Sequence, residues 1–187
     1  MLMKKLILAL SLSGLVLQAQ ATVFQFDLMG LGGTGLLPGN EPSGTTGTPG
    51  TGGEVGAGIF YDDVTGMLTL NVAWGSANSF VNLTGNATAG HLHGPGTISQ
   101  NAGVKYTLNT LPGWNNSASA GGFNGTISIL PADQSSLLGG LLYFNAHTSV
   151  NPGGEIRGNL VVVPEPSIMA LAAIGVGALL FRLRRHK

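Results

Sequence analysis

Cysteine is absent from the 187-residue chain, which excludes a disulfide framework, a thiol nucleophile and any thiolate metal ligand. Charge is nearly as scarce, with eight Lys and Arg against eight Asp and Glu, and its placement is uneven. Between Thr22 and Val163 the acids are Asp27, Glu41, Glu54, Asp62, Asp63, Asp133 and Glu155, opposed only by Lys105 and Arg157, for a net charge of about −5 with histidines neutral. An acidic segment without a basic patch has no electrostatic means of binding nucleic acid or an anionic lipid surface. Helical periodicity is missing too, apart from one short signal over Pro131–Leu138. The glycine-rich stretches Gly30–Gly35 and Gly121–Gly122 do not sit between a strand and a helix, so they are not phosphate-cradling loops.

The two ends carry what the middle lacks. Lys4 and Lys5 precede an apolar run from Leu6 to Leu17, and Ala19-Gln-Ala21 offers a small-x-small cleavage site. Residues 1–21 therefore read as a signal peptide, cut after Ala21 so that the mature chain begins at Thr22. At the other end Val163-Pro-Glu-Pro-Ser167 leads into an uncharged run, Ile168 to Phe181, and then into Arg182, Arg184, Arg185 and Lys187. Fourteen helical residues span roughly 21 Å, and adding Ser167 and Leu183 while Arg182 snorkels brings this hydrophobic helix close to membrane-spanning length. The basic end belongs on the cytoplasmic side. An ordinary C-terminal anchor would share these features except the motif Pro164, Glu165, Pro166. Motif, apolar run and basic end in that order resemble the PEP-CTERM sorting signal of Gram-negative bacteria. The resemblance implies that residues 163–187 are a sorting tail and transient membrane anchor, that a membrane-embedded exosortase is the processing partner, and that the protein reaches the cell surface or the extracellular matrix.

The segment 22–162 remains as the domain, about 140 residues that must stand on a hydrophobic core alone. Its 31 glycines, counted over the whole chain, point to many turns and short strands. Phe24, Phe26 and Leu28 alternate with Gln25 and Asp27 as a half-buried strand. Residues 30–53 are rich in Gly, Thr and Pro and read as a flexible surface loop. Ala57–Tyr61 and Met67–Trp74 flank Asp62-Asp-Val-Thr-Gly66, a hairpin in which Gly66 supplies positive φ and the aspartates bond local backbone. Further strands fall at 87–93, 104–108, 122–130, 141–148 and 155–162. The last two form a hairpin around Asn151-Pro-Gly-Gly154, with Ile156, Leu160 and Val162 on one face and Glu155, Arg157 and Asn159 on the solvent side. The fold class is all-β, an antiparallel sandwich or barrel of about eight strands, with Leu68, Leu70, Ile127, Ile129, Phe144, Ile156, Leu160 and Val162 in the core. Trp74 belongs with them, and Trp114 falls in a loop.

Three segments carry a second resemblance: Pro38-Gly-Asn-Glu-Pro42, His91-Leu-His-Gly-Pro95, and Tyr143-Phe-Asn-Ala-His-Thr148 with Asn151-Pro-Gly-Gly-Glu-Ile-Arg-Gly158. In this order they are similar to the CHRD domain, named for chordin and widespread in bacterial secreted proteins. The family has a longer Asn-Glu-Val-Pro-Pro-like stretch where this chain has Asn40-Glu-Pro42. The resemblance covers residues 24–162 and implies an extracellular β-domain.

Two readings of function follow. In the first the protein is a non-catalytic surface or matrix protein, associated with exopolysaccharide or biofilm as the sorting tail implies, with no cofactor and no enzyme activity. In the second the domain holds a zinc or copper ion, redox-active in the latter case, on His91, His93 and His147. On a strand His91 and His93 point the same way with Cα atoms about 6.8 Å apart, which suits two imidazoles on one metal. His147 lies on another strand, and Asn145, two residues away on its face, is the expected acceptor for its second ring N–H. The competing reading has these imidazoles bonding backbone groups and pinning loops.

Overall fold

The computed structural model describes residues 22–164. The expected signal peptide, its expected cleavage point after Ala21, the sorting residues Glu165 and Pro166 and the apolar tail lie outside them, and Pro164 is the last described residue. No helix among the described residues is long and apolar enough to cross a membrane. The described chain is built of β1 (Val23–Gly30), β2 (Gly33–Thr34), β3 (Gly52–Asp62), β4 (Met67–Trp74), β5 (Ala87–His93), β6 (Val104–Thr107), β7 (Trp114–Ser117), β8 (Ala120–Ser128), α1 (Pro131–Leu138), β9 (Tyr143–Thr148) and β10 (Ile156–Val162). All strand pairs are antiparallel, and they join into one sheet in the order β6-β5-β9-β10-β1-β3-β4-β8-β7, with β2 on β1.

This sheet curls on itself. Trp74 on β4 and Phe144 on β9 are four strands apart in the sheet order, roughly 19 Å if it were flat, yet their ring centroids lie 6.2 Å apart. Trp114 on β7 completes the contact at 5.2 Å from Trp74. The far edge also bonds the start of β5: Ala87 N–H donates to the Ala118 carbonyl at 3.0 Å, and the Asn116 amide donates to the Ala87 carbonyl. Inside lie Phe26, Leu28, Ile59, Leu68, Leu70, Ile127, Ile129, Phe144, Ile156 and Leu160, with Val162 packed against them at the margin. Each such side chain contributes about 1.5–3 kcal/mol, and this burial is what holds a domain without cross-links. The period-2 alternation of β1, β4, β9 and β10 is therefore the fold's main determinant.

Local signals appear where expected. The β3–β4 hairpin turns at Gly66 with φ of 69°, and Asp62 Oδ1 accepts the Val64 and Thr65 N–H groups at 2.9 Å each. Helix α1 starts on Pro131, and its Asp133 bonds Lys105 and the Tyr106 hydroxyl of β6, both at 2.8 Å. Trp114 is not in a loop but pairs as β7, half-buried against Trp74, because its indole fills the space that Gly90 leaves.

Two expectations are corrected, and they are coupled. Residues 30–53 are not a flexible loop: they contain β2, a 3-10 turn at Pro38–Asn40 and the start of β3, and Asn40 and Glu41 are buried. Nor do Glu155, Arg157 and Asn159 face solvent, since all three are 0% exposed. The segment around Asn40–Gly50 and the 94–103 connection fold over the outer face of β9 and β10. There the Asn40 amide donates to the carbonyls of Gly35 at 3.1 Å and Arg157 at 2.9 Å, and the Asn159 amide reaches the Gly96 carbonyl at 3.0 Å. Glu155 accepts the N–H groups of Gly50 and Thr84, the Thr148 hydroxyl and the Asn151 amide at 2.7–3.1 Å. Burial alone would raise its pKa, but these four donors outweigh it and hold the carboxyl below its ordinary value. The outer face is a second, polar layer of the structure.

Candidate metal centre

The register of β5 on β9 builds the site at the edge of that polar layer. His91 lies opposite Asn145, His93 opposite Tyr143, and Ala89 opposite His147. His147 is thus the diagonal neighbour of His91 on one face, within reach of a long side chain. The rings meet: His91 Nδ1 lies 3.0 Å from His147 Nε2, and His93 Nε2 lies 3.3 Å from the same atom. One nitrogen from each ring falls within 4.8 Å of the other two, and no Asp or Glu oxygen joins this group among the described residues.

The other ring nitrogens fix the tautomers. His93 Nδ1 lies 2.9 Å from the Ala102 carbonyl, and His147 Nδ1 lies 2.9 Å from the Pro152 carbonyl. A carbonyl oxygen can only accept, so both Nδ1 atoms carry the proton and both Nε2 atoms present a lone pair. Two lone pairs facing each other at 3.3 Å make no hydrogen bond; they are what a cation satisfies. Tetrahedral ligands at about 2.0–2.1 Å from a zinc-like ion stand roughly 3.3 Å apart, which matches both short separations. His91 Nδ1 either donates its proton to His147 Nε2 or, after shifting that proton to its own Nε2, supplies a third ligand.

Electrostatics favour the neutral form of His91 and His93. Burial, and then the charges that His147 and His93 would carry, push the pKa of His91 down to about 4. Burial also lowers His93, helped by His147 and Arg157 and opposed by the bond to Ala102. His93 is 8% exposed, whereas His91 and His147 are half-buried, so the unliganded side opens between those two.

Support comes from behind. Tyr143 stacks on His93 at 5.1 Å with planes 8° apart, and the Arg157 guanidinium lies 3.5 Å from the Tyr143 ring centroid. Arg157 is itself held by Asn101 Oδ1, the Thr97 and Gln100 carbonyls and Asn159 Oδ1 at 2.7–3.1 Å. The Tyr143 hydroxyl accepts the Ala102 N–H at 2.9 Å, which places the carbonyl that orients His93.

All three sequence-predicted histidines converge, and Asn145 does not serve them as expected. Its amide donates to Glu41 Oε2 at 2.7 Å, and the ring N–H of His147 goes to Pro152 because the Asn151–Gly154 turn brings that carbonyl closer to hand. Sequence reasoning missed Glu41, the two backbone acceptors and the Arg157–Tyr143 stack. Asn40-Glu41, adjacent polar residues inside a glycine-rich stretch, were the available signal for the first. Asp62 and Asp63 stand apart in their hairpin turn.

Comparison with known families places these residues in context. The model of the CHRD domain matches residues 35–160, and that of the PEP-CTERM protein-sorting motif matches residues 162–185. The first span includes Glu41, the three histidines and Arg157, which come together on one face. Neither the curated proteins nor the solved structures give a significant match.

Proposed function

This chain belongs to the CHRD domain family, and on that premise we propose that its β-domain binds a zinc or copper(II) ion through His91, His93 and His147. The observation that carries the reading is the pair of Nε2 lone pairs facing each other at 3.3 Å, each forced by a carbonyl on the opposite ring nitrogen. A hydrogen bond from His91 Nδ1 would satisfy the His147 lone pair alone, and the His93 lone pair would still face it without a donor. Three imidazoles with an open position suit either ion. The ion is lost in acid, because the ligands must be neutral.

The PEP-CTERM motif makes this an exported protein processed at its C-terminal end by exosortase. The domain works at the cell surface or in the extracellular matrix, as a non-catalytic binding or structural component of an exopolysaccharide-rich material. The neutral, carboxylate-free ligand set supports a binding role, since it offers no general base beside the ion. Calorimetric titration of the purified protein with zinc or copper(II) tests the reading. One ion per chain is expected, with affinity reduced at least 100-fold in His93→Ala and His147→Ala. Equal binding by wild type and both variants contradicts it.

A further inference from the structure

Resting on the metal reading above, we infer that the open coordination position takes a carboxylate oxygen, supplied by a uronate unit of an acidic polysaccharide or by a small free carboxylate. Three neutral imidazoles leave a divalent ion with its full charge of +2, and among the described residues no Asp or Glu oxygen completes the ligand group. An acid of the polar layer, Glu41, is taken up by Asn145 at 2.7 Å and lies in the field of the Arg157 cation, whose pKa burial lowers and the charges of Tyr143 and Glu41 partly restore. Those two charges offset each other, so the ion's charge stays uncompensated by the protein. An anionic oxygen ligand supplies the missing charge, and carboxylates bind such ions at about 2.0–2.2 Å.

The mouth of the site is built to admit one. It opens between the half-buried His91 and His147, beside residues without charge. Exposed Thr107 lies opposite His91 on β6, and exposed Pro152 and Gly153 lie beside His147, where a Cβ on Gly153 would meet nothing within 4 Å. None of these described rim residues is charged, and Lys105, the one charged residue of β6, is paired with Asp133 at 2.8 Å. The rest of the domain does the opposite. With a net charge of about −5 between Thr22 and Val163 it repels a polyanion as a whole, so retention of an acidic polymer has to run through the ion.

The test uses the purified protein loaded with cobalt(II), a spectroscopic stand-in for zinc. A visible d–d band that disappears in His147→Ala establishes the metal site; without such a band the metal reading itself falls. Acetate and galacturonate are then titrated separately into the wild-type protein, and a saturable shift of the band by either is expected. Retention on a polygalacturonate resin, lost after EDTA stripping, identifies the polymer as the source. A band shifted by acetate with no retention identifies a small carboxylate. An intact band that neither carboxylate moves overturns the inference while leaving the metal reading in place. Equal retention of the cobalt-loaded protein on dextran sulfate also overturns it, because bulk charge rather than the carboxylate would then be recognised.

Discussion

Replacing Glu155 by Gln is the sharpest probe of the buried polar layer. In the native protein one carboxylate oxygen accepts the Gly50 and Thr84 N–H groups at 2.9 and 2.7 Å, and the other accepts the Thr148 hydroxyl and the Asn151 amide at 2.7 and 3.1 Å. A glutamine keeps one acceptor and turns an NH2 group toward two donors. The Thr148 hydroxyl can rotate, but the Asn151 amide cannot flip, because its oxygen already accepts the Thr46 N–H at 2.8 Å and its nitrogen also donates to the Thr46 carbonyl at 3.2 Å. At least one buried donor is orphaned at about 1–3 kcal/mol, and the surviving bonds lose their charge assistance, for a total of about 2–4 kcal/mol. For a domain of this size that lowers Tm by roughly 10 °C. Thermal and urea unfolding followed by tryptophan fluorescence measure it. The pH dependence gives a second check. The folded pKa of Glu155 lies below its unfolded value of 4.5, so its stabilisation is present above that pH and lost as pH falls through the folded value. The gap between wild type and variant therefore narrows in acid. A loss under about 0.5 kcal/mol at neutral pH, or a gap that is independent of pH, would refute the buried-layer account.

Other consequences follow from the same geometry. His91 stays neutral in the folded metal-free protein down to about 4 but is protonated below 6.5 when unfolded, so the Tm of EDTA-treated protein should fall as pH drops from 6.5 toward 4; a flat profile over that range contradicts the cluster. A Cβ at Gly90 would overlap the Trp114 ring, which is wedged against Trp74 and cannot yield, so Gly90→Ala should cost about 1–3 kcal/mol in urea unfolding, and an unchanged midpoint denies the contact that draws the sheet closed. Deleting residues 163–187 removes the sorting segment and should release the domain from the envelope fraction, whereas a truncated protein that stays membrane-bound argues against sorting by this tail.

The sequence made local features readable and hid those that depend on register. The alternation of β1 and β4, the turns at Gly66 and Asn151-Pro-Gly-Gly154, and α1 behind Pro131 are set by residues a few positions apart. His91 and His93 were legible as a pair for that reason, since strand geometry alone aligns them. Their meeting with His147 depends on how β5 pairs β9, and no local pattern states that register. Glu155 and Arg157 read as solvent-facing because an alternating strand ordinarily has one wet face. Here the covering segment is Gly- and Thr-rich and looks like coil, so the burial it imposes is invisible until Asn40 and Glu41 are seen in place. Trp114 escaped as a strand residue because Asn115 and Asn116 have low β-propensity, and its position comes from the tertiary contact over Gly90.

X-ray absorption at the zinc edge of the zinc-loaded protein tests the central claim most directly. The account predicts a four-coordinate shell at about 2.0–2.1 Å with the outer-shell scattering of three imidazoles, reduced to two in His93→Ala. A shell of oxygens alone, or a spectrum that His93→Ala leaves unchanged, would contradict it.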